Sequence, residues 1–458
     1  MRDEPNGHVF PKWGPRGPFR VYSWLQASVT GLGLIGSALM LVGELTAPAL
    51  VLGVALGALA LRDPTGLPVW HRVGLGLRYL GSGWTGRRRW AATPDRSSPK
   101  WLDGVQVSAF HLPHGVMGIA HDRGRYLAAM RVSPTRAPWL QSHADRDAAA
   151  EDWARVVTSI PAEYVDRLQV LTVSRYGGGD DILADALTAQ GPGAEVLQQI
   201  AAHLAAQIRL TETVLVVRLG QRASRETRTR GGEEAVGRLL HSTLQHLGAQ
   251  FPTEELHAEI LAPADWADLF ARILHCDSVA FERLDLAGIP SVSEVEEDWN
   301  TVKVDGTLHR LLWMWQWPMR PMGAGFLAPL LTGGGNRVIS LVVTPADPEP
   351  HQRSLDWAYR RAEAAVETAR GAKHRKRAEL DSLNRQLQEL NEGHVPIQAM
   401  VTVAVSGTDR DAIEDLTGTV RSSAVAGSCR LSVLGGSQLQ ALGWVLPLCR
   451  GLDRGADR

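Results

Sequence analysis

The residues that could carry chemistry in this chain are few, and the lysines exclude the most familiar reaction. A P-loop needs a Lys followed by Ser or Thr, so that the ammonium reaches the phosphates while the hydroxyl holds magnesium. The lysines are Lys12, Lys100, Lys303, Lys373 and Lys376, followed by Trp13, Trp101, Val304, His374 and Arg377. No Walker A motif can be built from these pairs, which rules out a P-loop motor on this chain. Gly177–Asp181 (GGGDD) and Gly333–Gly335 lack the strand, lysine and helix that phosphate binding requires, and read as flexible turns. His111 and His114 sit in an extended, Pro-containing stretch without Cys partners or HExxH spacing, which gives no metal site. Cys276, Cys429 and Cys449 form no CxxC pair and read as small core residues of a reducing compartment. No GxSxG and no paired-carboxylate framework stands out. The expectation is no catalytic residue, no cofactor, no metal and no enzymatic activity.

Two clusters suit binding instead. Trp313, Trp315 and Trp317 alternate along one expected strand, which would project all three rings to one face. Helices covering a sheet face are the simpler explanation; a partner interface is the alternative, because Trp is enriched at interfaces. Arg370, Lys373, Arg375, Lys376 and Arg377 form a basic run on an expected long helix. Such a run could meet nucleic-acid phosphates or anionic lipid, so direct DNA contact is left open. The simpler reading is a solvated helix face balanced by Glu379, Asp381 and Glu389.

The elements that must position these clusters follow from periodicity. With 458 residues and a net charge of -1, there is room for several domains and no overall electrostatic pull toward nucleic acid. Strands are expected at Gly104–Leu112, Gly115–His121, Tyr126–Val132, Leu168–Ser174 and Val214–Leu219, with helices at Ala144–Ser159 and Glu195–Ile208. Gln221–Gly232 reads as an exposed connection, followed by helices at Glu233–His246 and Pro252–Leu274. A second unit has strands at Leu308–Trp317, Arg337–Thr344, Ile397–Val405 and Cys429–Leu434. Its helices are a long charged helix or helix pair at Gln352–Glu392, then Asp409–Ala424 and Ser437–Trp444. The fold class is α+β: a cytoplasmic α/β body in two units, 101–300 and 301–458, with ferredoxin-like βαβ layers. No repeat at a fixed period is visible.

Ahead of this body, Val21–Leu61 carries a single formal charge, Glu44, in a chain that is 21% charged. Val21–Gly43 is long enough to cross a hydrocarbon core of roughly 30 Å at about 1.5 Å per residue, and Leu45–Leu61 is near the lower limit. Glu44, Thr46 and Pro48 mark the turn of a two-span transmembrane hairpin within residues 1–66. Lys12, Arg16 and Arg20 precede it and Arg62, Arg72, Arg78, Arg87, Arg88 and Arg89 follow it, which places both ends in the cytoplasm. Residues 67–100 combine an Arg/Trp-rich stretch suited to the membrane surface with a Pro/Ser-rich linker. The expected location is the cytoplasmic (inner) membrane, multi-pass.

This arrangement resembles the membrane proteins of actinobacterial conjugative elements, in which a PrgI-like hairpin is joined to a domain similar to the N-terminal part of the type IV secretion traffic ATPase. The likeness rests on Gly124-Arg125-Tyr126-Leu127, on Trp317-Pro318 followed by Gly325–Leu331, and on Gln438–Leu452 with its Leu446–Gly451 ending. Cys449 stands where that ending would carry Gly. The resemblance implies a non-catalytic scaffold of a conjugation or type IV-like secretion channel. Its partners would be the membrane, a separate P-loop secretion ATPase, other channel subunits and further copies of itself. A membrane-anchored core component of type VII secretion is the alternative; a membrane-tethered glycosyltransferase would need a nucleotide site that the sequence does not offer.

Overall fold

The computed structural model describes residues 88–92, 101–134, 159–176, 193–205, 209–251, 256–275, 291–318, 327–331, 334–345, 348–367, 373–391 and 397–451, with shorter pieces at 76–77, 79–81, 83, 99, 153, 155–157 and 289. The apolar run Val21–Leu61 with Glu44, and also Arg370, lie outside these residues. Among the described residues no helix is long and apolar enough to cross a membrane.

The body is α+β, with helices layered on a large antiparallel sheet. The strands are β1 (Arg89–Ala91), β2 (Gln106–Leu112), β3 (Gly115–Asp122), β4 (Arg125–Pro134), β5 (Val165–Tyr176), β6 (Arg209–Leu219), β7 (Leu256–Ile260), β8 (Glu294–Glu297), β9 (Val302–Val304), β10 (Thr307–Gln316), β11 (Asn336–Pro345), β12 (Ile397–Gly407) and β13 (Arg430–Val433). The helices are α1 (Ala194–Ala205), α2 (Gln221–Gly248), α3 (Pro263–Leu274), α4 (Ala328–Leu331), α5 (Pro348–Glu367), α6 (Lys373–Asn391), α7 (Arg410–Ala426) and α8 (Gln438–Val445). Two expectations are corrected. Gln221–Gly232 is helical, supported by an Arg222–Glu226 pair one turn apart, and the chain breaks helical geometry only at Gly231 and Gly232. Pro252–Leu274 is not one helix: Leu256–Ile260 alternates in burial with the period of a strand and pairs with β4, so only Pro263–Leu274 remains helical.

The sheet runs in the order β1-β8-β9-β10-β12-β11-β5-β6-β4-β3-β2, with β13 also on β10 and β7 also on β4. Although no sequence period exists, the connectivity is duplicated. In the first half, β6 and β7 flank β4 and are connected through α2; in the second, β12 and β13 flank β10 and are connected through α7. Each central strand enters through a two-residue turn with both residues at positive φ, Arg123 (50) with Gly124 (79), and Asp305 (44) with Gly306 (93). The halves meet where β5 pairs with β11, Leu171 opposite Ser340.

Among the described residues three apolar cores follow from this plan. α2 packs Val236, Leu240, Leu244 and Leu247 on the first half. α7 packs Ile413, Val420 and Ala424 on the second. α3 and α8 share a core across both halves, in which Trp266 and Phe270 join Leu442, Val445 and Leu446 over Leu171, Val216, Leu311 and Val338. Gly118 has no side chain because Trp266 lies there: a Cβ would come within 2.6 Å of the indole.

The chain's last described residues close this core with polar bonds. Arg450 donates to both oxygens of Asp122, Nε to Oδ2 at 2.8 Å and Nη2 to Oδ1 at 2.7 Å, with each residue only 5% exposed. Removing one member of a buried pair strands the other charge. Asp122→Ala is therefore expected to lose about 3–5 kcal/mol of unfolding free energy, read from denaturant midpoints. The double variant Asp122→Leu, Arg450→Met should recover much of that loss, and a wild-type midpoint for Asp122→Ala would show that the pair is not a closure.

Candidate functional site

The tryptophan row lies on β10, but not as a single face. A register shift between Met314 and Gln316 against β13 resets the alternation. All three rings are half-buried, but Trp317 packs against the core that holds Leu312 and Met314, on the side opposite to Trp313 and Trp315. The expected three-ring platform is corrected to two rings, because the extra residue of a bulge turns the following side chains over.

The basic run falls at the joint of a helical hairpin. α5 and α6 pack on each other, and Lys373, Arg375, Lys376 and Arg377 occupy the beginning of α6, with Arg377 exposed and no acidic residue in the first turn. Cations at a helix N-terminus oppose the helix dipole, so the placement contributes nothing to helix stability. On α5, Trp357 is 63% exposed and carries the Arg361 guanidinium at 5.1 Å from its ring centroid.

A third feature had no signal in the sequence. An open groove of about 220 Å³ is lined by Arg131, Ser133, Val173, Arg175, Thr211, Glu212 and Arg272. Its arginines are engaged: Arg131 Nε donates to Glu212 at 2.6 Å and its other nitrogens approach Glu259 at 3.4 Å and Asp265 at 3.7 Å. Arg272 joins Glu212 and Asp268. With four carboxylates around them, these arginines staple β4, β6, β7 and α3 together and leave no surplus charge for an anion. Met130 sits between Leu215 and Ile260 as Leu312 sits between Val403 and Val433, so Arg131 occupies in the first half the register that Trp313 holds in the second.

No protein-family model matches the chain, and no match was found among curated proteins. What the site can do therefore rests on its own geometry.

One arrangement has the form of a base beside a nucleophile. His309 Nδ1 lies 2.8 Å from Ser406 Oγ, and its Nε2 lies 3.0 Å from the Leu274 carbonyl. The carbonyl can only accept, which fixes the proton on Nε2 and leaves Nδ1 to accept from Ser406. His309 is fully buried, and its third partner is a carbonyl where a catalytic triad would place a carboxylate. The pair thus fastens the end of α3 to β10 and β12. Burial also pushes the thiols up, Cys429 to about 11 and Cys449 to about 12, where neither is a nucleophile at neutral pH. Among the described residues no three His, Cys, Asp or Glu side chains converge as a metal site, and His111 and His114 are exposed at the β2–β3 turn.

Burial lowers the His309 pKa from 6.5 to about 4. Between these values the unfolded chain binds a proton that the folded chain refuses, so stability falls as pH drops from 6.5 toward 4 and the loss is complete below that. The component is at most about 3 kcal/mol. Urea midpoints measured from pH 7 to pH 4 should show it, and His309→Gln should lower stability at pH 7 while flattening this slope. An unchanged slope would assign the acid sensitivity elsewhere.

Proposed function

We propose that this chain is a non-catalytic scaffold subunit of a conjugation or type IV-like secretion channel, held in the inner membrane by a two-span hairpin with both termini in the cytoplasm. The observation that carries this reading is the run Val21–Leu61, which holds Glu44 alone between arginine-bearing flanks in a chain whose lysines form no P-loop. The body, read as a pair of ferredoxin-like layers, docks a separate P-loop ATPase, other channel subunits and further copies of the chain. The half-buried Trp313 and Trp315 and the α5–α6 hairpin are the surfaces offered to these partners. The run Arg370–Arg377 is the segment offered to phosphate, whether of DNA or of lipid.

Two measurements test the reading. The detergent-solubilised full chain from native membranes should co-purify with a P-loop ATPase and turn over no nucleotide itself; robust hydrolysis by the isolated chain would overturn the scaffold assignment. A cysteine introduced by Glu44→Cys should react with a membrane-impermeant maleimide added from outside the cytoplasmic membrane. Reaction only from the cytoplasmic side would exclude the hairpin topology.

A further inference from the structure

The described piece at residues 76–83 is helical at positions 76, 77, 79–81 and 83 and has two unlike sides. One side is clamped to the body. The Tyr79 ring stands edge-on to Trp299 at 5.0 Å and 82°, and Arg88 covers its face at 3.5 Å while donating to the Tyr79 carbonyl at 3.0 Å. The Tyr79 hydroxyl donates to Asp298 Oδ1 at 3.4 Å, and Asp298 Oδ2 accepts from Arg410 at 2.9 Å. Trp299 in turn closes over Gly435 and Gly436, where a Cβ would lie 2.8 and 2.7 Å from the indole. The other side carries Leu77 and Leu80, 65% and 59% exposed and three residues apart. In sequence Val73 lies four residues before Leu77 and Trp84 four after Leu80, and Arg72, Arg78 and Arg87 are interleaved. Exposed leucines in a sequence with arginines interleaved suit an anionic lipid surface. The apolar run ending at Leu61 delivers the chain to this point.

We propose that the helical piece carrying Leu77 and Leu80 lies on the membrane with both side chains in an anionic bilayer, and that the Tyr79–Trp299 clamp turns the β1–β8–β9 edge of the sheet toward that bilayer. The inference rests on the membrane hairpin proposed above. Val116, exposed where β3 begins at the other end of the strand order, serves as the reference site away from this edge.

The test uses the full chain, with Cys276→Ser, reconstituted in phosphatidylcholine–phosphatidylglycerol vesicles that contain nitroxide-labelled lipid. Cys429 and Cys449 are buried and stay unlabelled. A bimane probe is placed by Leu50→Cys, Leu77→Cys, Leu80→Cys, Asn300→Cys or Val116→Cys. Several-fold quenching is expected at 50, 77 and 80, partial quenching at 300, and none at 116. If 50 is quenched while 77 and 80 behave like 116, the hairpin stands and this inference falls. It falls equally if 77 and 80 are shielded from aqueous iodide yet unquenched by lipid, since another protein would then cover them. An unquenched 50 would remove the hairpin and this inference together. In Trp299→Ala, quenching should persist at 77 and 80 and vanish at 300; persistence at 300 would show that the clamp does not orient the body.

Discussion

The body depends on the carboxamide of Gln169. It lies on β5, at the junction of the two halves, with no exposed surface. The two N–H bonds of its Nε2 are shared among three acceptors, Ser340 Oγ at 2.8 Å, the Leu446 carbonyl at 2.9 Å and the Trp444 carbonyl at 3.0 Å, and its Oε1 accepts from the Cys449 N–H at 2.7 Å. One side chain thereby bonds the neighbouring strand β11 and the segment that follows α8. Ser340 adds a bond of its own to Trp444. The Cys449 carbonyl is taken by Arg167 at 3.0 Å and Arg218 at 3.2 Å, and Arg218 is itself anchored on Asp166. Gln169, Ser340, Arg167, Arg218 and Cys449 are buried and their polar groups find partners, which is the condition under which a polar seam specifies an arrangement instead of weakening a core. An apolar residue at 169 would strand several backbone groups at once, each worth about 1–3 kcal/mol.

The same seam explains why a cysteine can occupy position 449. Its backbone is left-handed, φ 49, a conformation that disfavours residues bearing a Cβ. The expected family ending carries Gly there, which would enter that conformation freely. Here the conformation is imposed from outside, because both the N–H and the carbonyl of Cys449 are held by side chains of the first half. The Sγ then fills space against Val216. Residues 445–451 are buried throughout, so the motif behind the resemblance is a structural closure with no surface to offer.

Local elements were legible because their burial is periodic. β10, β11, β12, α7 and α8 fall within a few residues of their expected spans. What sequence could not show are effects of pairing at a distance. Nothing in the order Trp313, Trp315, Trp317 announces a bulge, since the register shift is set by β13, more than a hundred residues later. The helical start of α2 was hidden because QRASRETRTRGG has no apolar stripe; its support comes from Arg–Glu spacing and the helix that continues beyond Gly232. The Arg131–Glu212–Arg272 network joins residues from separate elements and leaves no local pattern. The duplication was invisible for a related reason. It is preserved in connectivity and turn geometry, while side chains at equivalent registers, Arg131 and Trp313, have nothing in common.

The two ends of the described chain are fastened crosswise. The N-terminal piece docks on the second half, with Tyr79 bonded to Asp298, 219 residues away in sequence. The C-terminal piece docks on the first half, with Arg450 bonded to Asp122, 328 residues away. Between these points the strands are hydrogen-bonded without interruption from β1 to β2. A load applied at this piece enters at the β8–β9 turn and has two routes to the closure at Asp122: across the ladder, and through Glu297, which accepts from the Leu439 N–H at the start of α8, whose continuation carries Arg450. On the proposed reading the load comes from the membrane. For the proposed scaffold this cross-bracing would matter more than a cavity, because a continuous sheet tied through a shared core resists displacement where two domains on a linker would swing apart.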